Sequence, residues 1–457
     1  MNDNVTEKPI YNELAETPIP KLVIKLGIPT TISMLVTSIY NMADTYFVGD
    51  ENTSASGAVG VVFGLMSVIQ AFGFLFGQGS GVLASRALGA GDKRKADKTD
   101  STGLFLALLA GTIIGVFGLI FLDPFMRLLG STETILPYAR EYSLFILIAA
   151  PLMCASCVLN NILRFEGKAV YSMVGLVAGG LLNIFGDYVL VRIFKMSVMG
   201  AGISTAVSQV ISFFLLLLPF LKGDSVAHLS IRDVTFNFDM IGGICKTGLP
   251  SLIRQGMSSL STMMLNNGAK IYGDAAVSAM SIVNRVCFFT FATALGIGQG
   301  FQPVAAFNYG AKKYKRVQRA YAFTVTVGGC FLTTVAILGI IFSDGIVGLF
   351  RNDPEVIKIG TSALKVQFIG QLFQPVAVCS NMLFQSTGKT REAAVLSLCR
   401  SGLFFIPVLS IGLKLFGLPA VQYSQSVADV MTFLVAAPMG IRYAVSLGNK
   451  EQTEKNM

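Results

Sequence analysis

The sequence predicts an all-α integral membrane protein with twelve transmembrane helices in two homologous six-helix lobes, related by a pseudo-twofold axis along the membrane normal. The composition is the first observation behind this: 53% of the 457 residues are hydrophobic and only 13% are charged, against roughly 25% charged in a soluble domain. The second is the recurrence of apolar runs of about 20 residues, which cross the roughly 30 Å hydrocarbon layer as helices. Helices are favoured over open sheet because lipid offers the backbone no hydrogen bonds.

Polar residues divide the chain into twelve predicted spans. These are 22–47, 57–83, 101–122, 138–163, 170–194, 200–221, 241–268, 276–306, 319–343, 361–385, 392–415 and 417–443. The opening segment lacks a basic region followed by a short apolar core and a cleavage site, so we expect the first span to be retained.

An internal repeat is the third observation. "KLGIP" matches "KTGLP", "GQG" matches "GQG", "LGAGDKRKA" matches "YGAKKYKRV", and "GK" matches "GK", each pair 221 residues apart. The predicted organisation is a tail 1–21, a first lobe 22–221, a linker 222–240, a second lobe 241–443 and a tail 444–457. Because six spans is an even number, both lobes enter the membrane in the same direction, as in transporters with parallel repeats.

The positive charges predict the orientation. Of the 35 Lys and Arg residues, 23 fall on the side of the N-terminus, nine on the opposite side and three inside spans. Both termini are therefore expected in the cytoplasm, and the expected location is the plasma membrane, in a bacterium the inner membrane. The bias also accounts for the net charge of +9, so we predict no nucleic-acid partner.

Acidic residues inside the spans are the main candidates for function. Asp44 lies in span one and Asp187 in span five, and the repeat places Leu265 and Val408 at the corresponding positions. A charge at the bilayer centre costs roughly 2.5–3.5 kcal/mol, and such residues usually mark a pathway or a relay. Asn183 lies one helical turn before Asp187, on the same face. This face suits a small cation or an exchanging proton.

The second half carries mostly basic residues inside its spans. They are Arg254, Arg285 and Arg400, accompanied by Asp429 in span twelve. A structural ion pair and a functional role are both open for this group.

Motifs for an enzyme or a resident cofactor are not found. "GKT" at 388–390 lacks the glycine that a phosphate-binding loop needs five positions earlier, where Leu383 stands, and the single histidine, His228, lies in the linker. We therefore expect no enzyme activity, no metal site and no cofactor beyond a coupling ion, H⁺ or Na⁺.

The motifs together resemble those of the multidrug and toxic compound extrusion (MATE) family. The resemblance rests on "MADTYFVG", "GQGSGVLASRALGAGDKRKA", "LNIFGDYVLV" and their echoes in the second half. Spans seven and ten lack acidic residues, as in the branch named for the DNA-damage-inducible protein F, and "IVNRVCFF" and "LCRSGLFFIP" also look like that branch.

The resemblance implies cation-coupled export of bulky lipophilic, often cationic compounds by alternating access. Its cation site would comprise Asp44, Asn183, Asp187 and Thr205. We expect the substrate cavity to include Tyr40, Asn41, Gln70, Arg254, Arg285 and Arg400. The implied partners are small amphipathic molecules and membrane lipids, and the protein is expected to be a monomer.

Other functions are also open. A flippase for a lipid-linked precursor would suit the basic residues, whose guanidinium groups bind pyrophosphate well. An integral membrane enzyme is disfavoured by the missing motifs, and a passive channel by a doubled architecture with its buried acids mainly in one half.

Overall fold

The computed structural model describes residues 13–49, 53–350 and 353–455, and within these ranges it does not describe the side chains of Asn41, Asp44, Asp274 and a few others. The described residues are helical nearly throughout. The helices of the first half are Ile19–Gly49 (span one), Thr53–Gly89 (two), Lys93–Ile120 (three), the short Leu122–Leu128, Leu136–Phe165 (four), Ala169–Asp187 continued by a π-helix at Tyr188–Ile193 (five), and Ser197–Leu221 (six).

The second half repeats this order after a 3₁₀ turn at Ile231–Asp233. Its helices are Phe238–Lys270 (seven), Asp274–Gly310 (eight), Tyr314–Ile341 (nine), the short Ser343–Phe350, Pro354–Gln371 and Gln374–Thr387 (ten), Thr390–Leu398, a π-helix at Cys399–Leu403 and Phe405–Leu415 (eleven), and Leu418–Lys455 (twelve). The prediction of twelve helical spans is confirmed for the described part of the chain.

Ten of these helices are long and apolar enough to cross a membrane by length and composition alone. Spans seven and ten do not meet that criterion, for different reasons. Span seven carries several polar residues along its length, and span ten is interrupted after Gln371, which leaves helices of 18 and 14 residues.

The last helix continues well beyond the predicted end of span twelve at residue 443, as far as Lys455. Hydropathy reports where the chain leaves the apolar layer, whereas the helix ends where its backbone hydrogen bonds end. The predicted tail 444–457 therefore begins as helix.

Turns at equivalent positions of the two halves adopt the same conformation. Gly167 and Gly388, in the two "GK" turns, have φ of +87° and +86°. Gly91 has φ of +79°, and Lys312, 221 residues later, has φ of +57°. Glycine adopts this left-handed region at no steric cost, whereas lysine does not. The turns confirm the repeat at the level of backbone conformation.

The described residues form two compact units, 13–16 with the described part of 32–252, and 17–31 with the described part of 253–455. Two boundaries between the units fall inside continuous helices. One lies two residues after Pro29 in span one, and the other lies two residues after Pro250 in span seven. A proline inside a helix removes a backbone hydrogen bond and favours a bend. The two helices that are shared between the units thus carry their proline at equivalent positions of the repeat.

Small residues let neighbouring helices approach closely within the first unit. A Cβ at Gly111 of span three would lie 2.6 Å from the carbonyl oxygen of Ala150 in span four, and one at Gly115 would lie 2.7 Å from that of Leu147. Such small residues spaced four apart are typical of membrane helix interfaces. They fix spans three and four in contact.

The linker lies along the ends of spans three and four. Glu166 accepts hydrogen bonds from the Ser225 hydroxyl and from the backbone N–H groups of Val226 and Ala227, at 2.8–3.0 Å. The Asp97 carboxylate accepts from the N–H of His228 at 2.8 Å. Burial raises the pKa of Glu166, although these hydrogen bonds act in the opposite direction. The linker is therefore held on the first unit by carboxylates.

Candidate functional site

Spans five and six bring three of the predicted site residues into one buried cluster. Asn183, Asp187 and Thr205 are 2%, 0% and 0% exposed. The Asn183 amide donates a hydrogen bond to the Thr205 hydroxyl oxygen at 3.1 Å. Among the described residues, the Asn183 carbonyl oxygen Oδ1 has no hydrogen-bond partner. The cluster thus offers an unused oxygen acceptor in its interior.

Two further residues complete the cluster. The Tyr142 hydroxyl of span four lies 3.3 Å from the Thr205 hydroxyl, and the Ser204 hydroxyl donates to the Asn183 backbone carbonyl at 2.9 Å. Sequence reasoning did not identify either, because tyrosine and serine are common in membrane spans and nothing in their spacing marks them. Only the packing of span four against span six reveals Tyr142.

The backbone changes conformation at Asp187. This residue ends the α-helical part of span five, and the chain continues as a π-helix from Tyr188 to Ile193. Single π turns inside α-helices occur frequently at functional sites. The wider turn begins directly after Asp187, so this residue lies at a point where the helix departs from regular α-helical geometry.

Asp44 belongs to span one, but its side chain lies outside the described residues, as does that of Asn41. The neighbouring contacts fix the depth of its backbone. A Cβ at Gly180 would lie 3.2 Å from the Tyr40 ring, and the rings of Phe47 and Tyr188 are 6.5 Å apart. These two contacts bracket the backbone of Asp44 at the level of Asn183 and Asp187. A direct pairing of the two carboxylates stays a prediction.

The oxygen groups of the cluster and the buried Asp187 carboxylate define what this region can do chemically. A carboxylate with amide and hydroxyl oxygens is the ligand type that hard cations prefer. The same carboxylate is also able to take up a proton, which removes the cost of a buried charge. The arrangement suits reversible occupancy by H⁺ or Na⁺.

In the second unit, Asp429 and Arg400 form an ion pair. Arg400 Nε lies 2.8 Å from Asp429 Oδ1, with side chains 23% and 2% exposed. Gln374 and Gln425 each donate to the same carboxylate at 3.0 Å, and the Arg400 guanidinium lies 4.2 Å from the centre of the Phe291 ring. Of the two interpretations left open by the sequence, the structure supports an ion pair for Asp429.

The other predicted cavity residues are distributed over both units. Tyr40 is buried and Gln70 is half-buried. Arg254 is half-buried and lies 3.5 Å from the Asn381 carbonyl oxygen, and Arg285 is exposed. Their role in substrate binding stays a prediction.

Comparison with known proteins identifies the family. The family model MatE matches residues 29–189 and again residues 250–411. The chain belongs to the MATE family. The two matches cover most of the chain and start 221 residues apart, the offset found in the sequence. The chain is thus a MATE transporter and a multi-pass membrane protein.

MATE relatives cover nearly the whole chain. The multidrug export protein MepA of Staphylococcus aureus (strain NCTC 8325 / PS 47) is 28% identical over 424 residues, covering 92% of this chain and 93% of MepA. MepA of Staphylococcus haemolyticus (strain JCSC1435) is 27% identical over 441 residues, covering 96% of each.

Solved MATE structures have the same fold. An outward-facing multidrug resistance MATE transporter of the MOP superfamily gives a TM-score of 0.90 at 24% identity, covering 95% of this chain and 98% of the other. A MOP superfamily transporter from Pyrococcus furiosus Vc1 gives 0.89 at 24% identity, covering 96% and 98%. The twelve-span, two-lobe fold predicted from the sequence is confirmed.

Proposed function

We propose that this protein is a cation-coupled antiporter, driven by H⁺ or Na⁺, that exports bulky lipophilic and often cationic compounds. The observation that carries the proposal is the fully buried Asp187, one helical turn after Asn183. The Asn183 amide belongs to a buried cluster with the hydroxyls of Thr205 and Tyr142. A carboxylate in a membrane span is costly, and its surroundings offer oxygen ligands for a cation. The relatives named multidrug export protein MepA support the class of substrate.

Alternating access is the proposed mechanism. A cation bound at Asp187 and Asp44 changes the relative stability of two conformations, and the drug binds the cation-free form more tightly. Such a ligand shifts the equilibrium only by its difference in affinity between the two states. Export then follows from inward movement of the cation as the drug leaves outward.

The setting of this activity is proposed as well. We place the protein in the bacterial inner membrane with both termini in the cytoplasm, acting as a monomer without cofactor or enzymatic step. The bacterial origin of the MepA relatives supports the membrane, and the distribution of Lys and Arg supports the orientation.

Efflux from proteoliposomes tests the proposal. Ethidium, a fluorescent lipophilic cation, is loaded into liposomes, and a proton gradient or a sodium gradient is imposed separately. We expect one gradient to drive efflux in the parent and neither to drive it in Asp187→Asn or Asp44→Asn, with Glu141→Gln, on the exposed part of span four, as the matched control. Equal gradient-driven efflux in parent and Asp187→Asn would contradict the proposal.

A further inference from the structure

A cavity of about 470 Å³ lies on the first unit, where span three, the short helix Leu122–Leu128 and span four meet. Five apolar and three charged residues line it: Leu119, Ile120, Leu122, Pro124 and Leu144, with Asp123, Arg140 and Glu141. Its volume falls within the roughly 300–1,000 Å³ of sites for small molecules. None of these residues belongs to the cluster around Asn183, so the cavity is a separate feature of this unit.

The cavity lies at the boundary of the membrane. The apolar run of span three ends at residue 122, and that of span four begins at residue 138. Asp123 and Arg140 therefore lie at the edge of the roughly 30 Å hydrocarbon layer. Leu119 and Leu144 each lie one helical turn further into that layer. Lipid headgroups thus meet the charged residues, and acyl chains meet the leucines.

Apolar side chains continue from the cavity into the membrane on both helices. Span three exposes Val116, Phe117 and Ile120 by 48%, 59% and 66%, and span four exposes Leu144 and Ile148 by 40% and 62%. Water at membrane depth is lined by polar residues, whereas these exposed side chains are all apolar. This surface therefore faces lipid, and acyl chains reach the cavity along it.

The opposite charges in the cavity keep free hydrogen-bonding capacity. Arg140 Nε lies 3.7 Å from Asp123 Oδ1, which is too far for a hydrogen bond. Among the described residues, the buried Asp123 Oδ1 atom has no hydrogen-bond partner. Arg127 and Glu133, by contrast, close on each other with two hydrogen bonds. The cavity thus offers donors for an anionic group beside an acceptor for a cationic one.

The second half of the repeat does not reproduce this pair of charges. The residues 221 positions after Asp123 and Arg140 are Asp344 and Thr361. The equivalent short helix, Ser343–Phe350, thus keeps the carboxylate and loses the guanidinium beside it. The duplicated scaffold does not require the pair, which favours a role particular to the first lobe.

Opposite charges above an apolar wall match a zwitterionic phospholipid. A guanidinium binds phosphate oxygens through a bidentate fork, and a carboxylate accepts hydrogen bonds from the N–H groups of a primary ammonium. A choline headgroup has no N–H group to donate. An anionic headgroup lacks the ammonium and meets the negative charges of Asp123 and Glu141. The cavity therefore favours a headgroup that carries a phosphate and a primary ammonium.

We propose that this cavity binds an aminophospholipid, with the phosphate on Arg140 and the ammonium on Asp123. The acyl chains lie along the exposed apolar faces of spans three and four, over Ile120 and Ile148. This lipid site goes beyond the proposed drug transport and does not depend on it.

Fluorescence quenching in vesicles tests the inference, because the chain contains no Trp. Ile148→Trp introduces one reporter a helical turn from Leu144, outside the cavity lining. The full-length protein is reconstituted in phosphatidylcholine with a minor fraction of lipid whose acyl chains are brominated. This fraction is phosphatidylethanolamine, phosphatidylcholine or phosphatidylglycerol. We expect the relative affinity for phosphatidylethanolamine to be about threefold higher than for the others, the size typical of exposed charge pairs.

A second reporter position controls for general contact with lipid. Phe214→Trp replaces a ring of span six that is 56% exposed and does not line the cavity. All three brominated lipids should quench this reporter equally, because bulk lipid surrounds it.

Variants of the charged residues, made in the Ile148→Trp protein, identify the groups responsible. Asp123→Asn should abolish the preference for phosphatidylethanolamine over phosphatidylcholine, because the ammonium loses its carboxylate. Arg140→Gln should lower the relative affinity for phosphatidylethanolamine about threefold, because the phosphate loses its guanidinium. Asp344→Asn, at the equivalent position of the repeat, is the matched control and should keep the full preference.

Equal quenching of Ile148→Trp by the three brominated lipids would overturn the inference, whatever the charge variants do. A preference for phosphatidylglycerol would also overturn it, because Arg140 alone would then determine binding. So would a preference for phosphatidylethanolamine that Asp123→Asn and Asp344→Asn retain equally. Quenching that weakens for every lipid as the protein-to-lipid ratio rises would place a second copy of the chain on this surface and overturn it as well. None of these measurements involves transport, so their failure would leave the proposed function standing.

Discussion

The two halves of the protein place buried polar groups on the same pair of helices but with different chemistry. In the first half, Asp187 on span five is accompanied by the amide of Asn183 and the hydroxyl of Thr205. In the second half, span eleven contributes Arg400 and span twelve contributes Asp429, 2.8 Å apart. The duplicated scaffold thus uses the same pair of helices at different positions and with different charge: the first lobe holds a buried carboxylate one turn from a neutral amide, and the second lobe holds an ion pair.

The repeat offset makes this comparison specific. Residue 429 corresponds to Ser208, and residue 426, a serine, corresponds to Thr205. Ser426 donates to the Val366 backbone carbonyl at 2.9 Å, whereas Thr205 contacts the Asn183 amide and the Tyr142 hydroxyl. Equivalent hydroxyls therefore bind a backbone carbonyl in one lobe and belong to a polar cluster in the other, which supports the proposal that coupling belongs to the first lobe.

Neutralising Asp187 and Asp429 in separate variants should give the largest difference between the two lobes. We expect Asp187→Asn to reduce gradient-driven ethidium efflux at least a hundredfold with little change in thermal stability, because the amide keeps the shape and loses the exchangeable charge. Asp429→Asn should retain driven efflux and lower the melting temperature, because Arg400 loses its counter-charge. Loss of driven efflux in a folded Asp429→Asn protein would refute the assignment of coupling to the first lobe.

Replacing both members of the ion pair tests whether Arg400 and Asp429 have a structural role in the second lobe. Removing one partner of a buried pair costs roughly 3–5 kcal/mol. We expect about 2 kcal/mol for Asp429→Ala, because Arg400 is 23% exposed and water screens it. Arg400→Met combined with Asp429→Leu should recover most of this loss in the free energy of unfolding, measured by titration with a denaturing detergent. If the double variant instead loses as much free energy of unfolding as the two single variants lose together, the two residues do not interact.

The equivalent hydroxyls give a smaller effect. Thr205→Val removes the acceptor of the Asn183 amide, and a net hydrogen bond contributes about 1 kcal/mol. We expect an apparent affinity for the coupling cation about fivefold lower, read from the ion dependence of efflux. Ser426→Ala is the control from the second lobe and should leave this affinity unchanged. A similar loss of apparent cation affinity in Thr205→Val and Ser426→Ala would contradict the assignment of different roles to the two hydroxyls.

Glu166 and its repeat counterpart Thr387 differ in their response to pH. Burial raises the pKa of Glu166, so folding disfavours its ionised form relative to the unfolded chain. The stability of the parent relative to Glu166→Gln should be greatest below the ordinary carboxyl pKa and decline as pH rises through the raised pKa of Glu166. Thr387→Val should show no such trend in melting temperature, and a flat difference for Glu166→Gln would contradict the expected shift.

The turns at residues 91 and 312 give the smallest expected effect. Lys312 has φ of +57° where the first lobe has Gly91, and a non-glycine residue in this region is strained by roughly 1–2 kcal/mol. We expect Lys312→Gly to stabilise the protein by about 0.5 kcal/mol, because the added freedom of the unfolded chain offsets part of the relieved strain. Gly91→Lys should destabilise it, and a thermal unfolding series of both variants checks the signs.

Much of the fold was predictable, since hydropathy locates the spans and the repeat fixes their grouping. The Asn183–Asp187 face followed from helical spacing alone. The partners of that face did not, because Tyr142 reaches Thr205 only through tertiary packing. The pairing of Arg400 with Asp429 and the sharing of spans one and seven between two units also depend on packing that spacing does not encode. Helix ends were missed where polar sequence stays helical, as in the last helix.

The ion dependence of drug binding tests the assignment of coupling to the first lobe most directly. Ethidium affinity is measured on purified protein across a pH series and a sodium series, for the parent, Asp187→Asn and Asp429→Asn. We predict that one cation weakens ethidium binding at least tenfold in the parent and in Asp429→Asn, and that this dependence disappears in Asp187→Asn. Full ion dependence in Asp187→Asn, or its loss in a folded Asp429→Asn, would contradict the account.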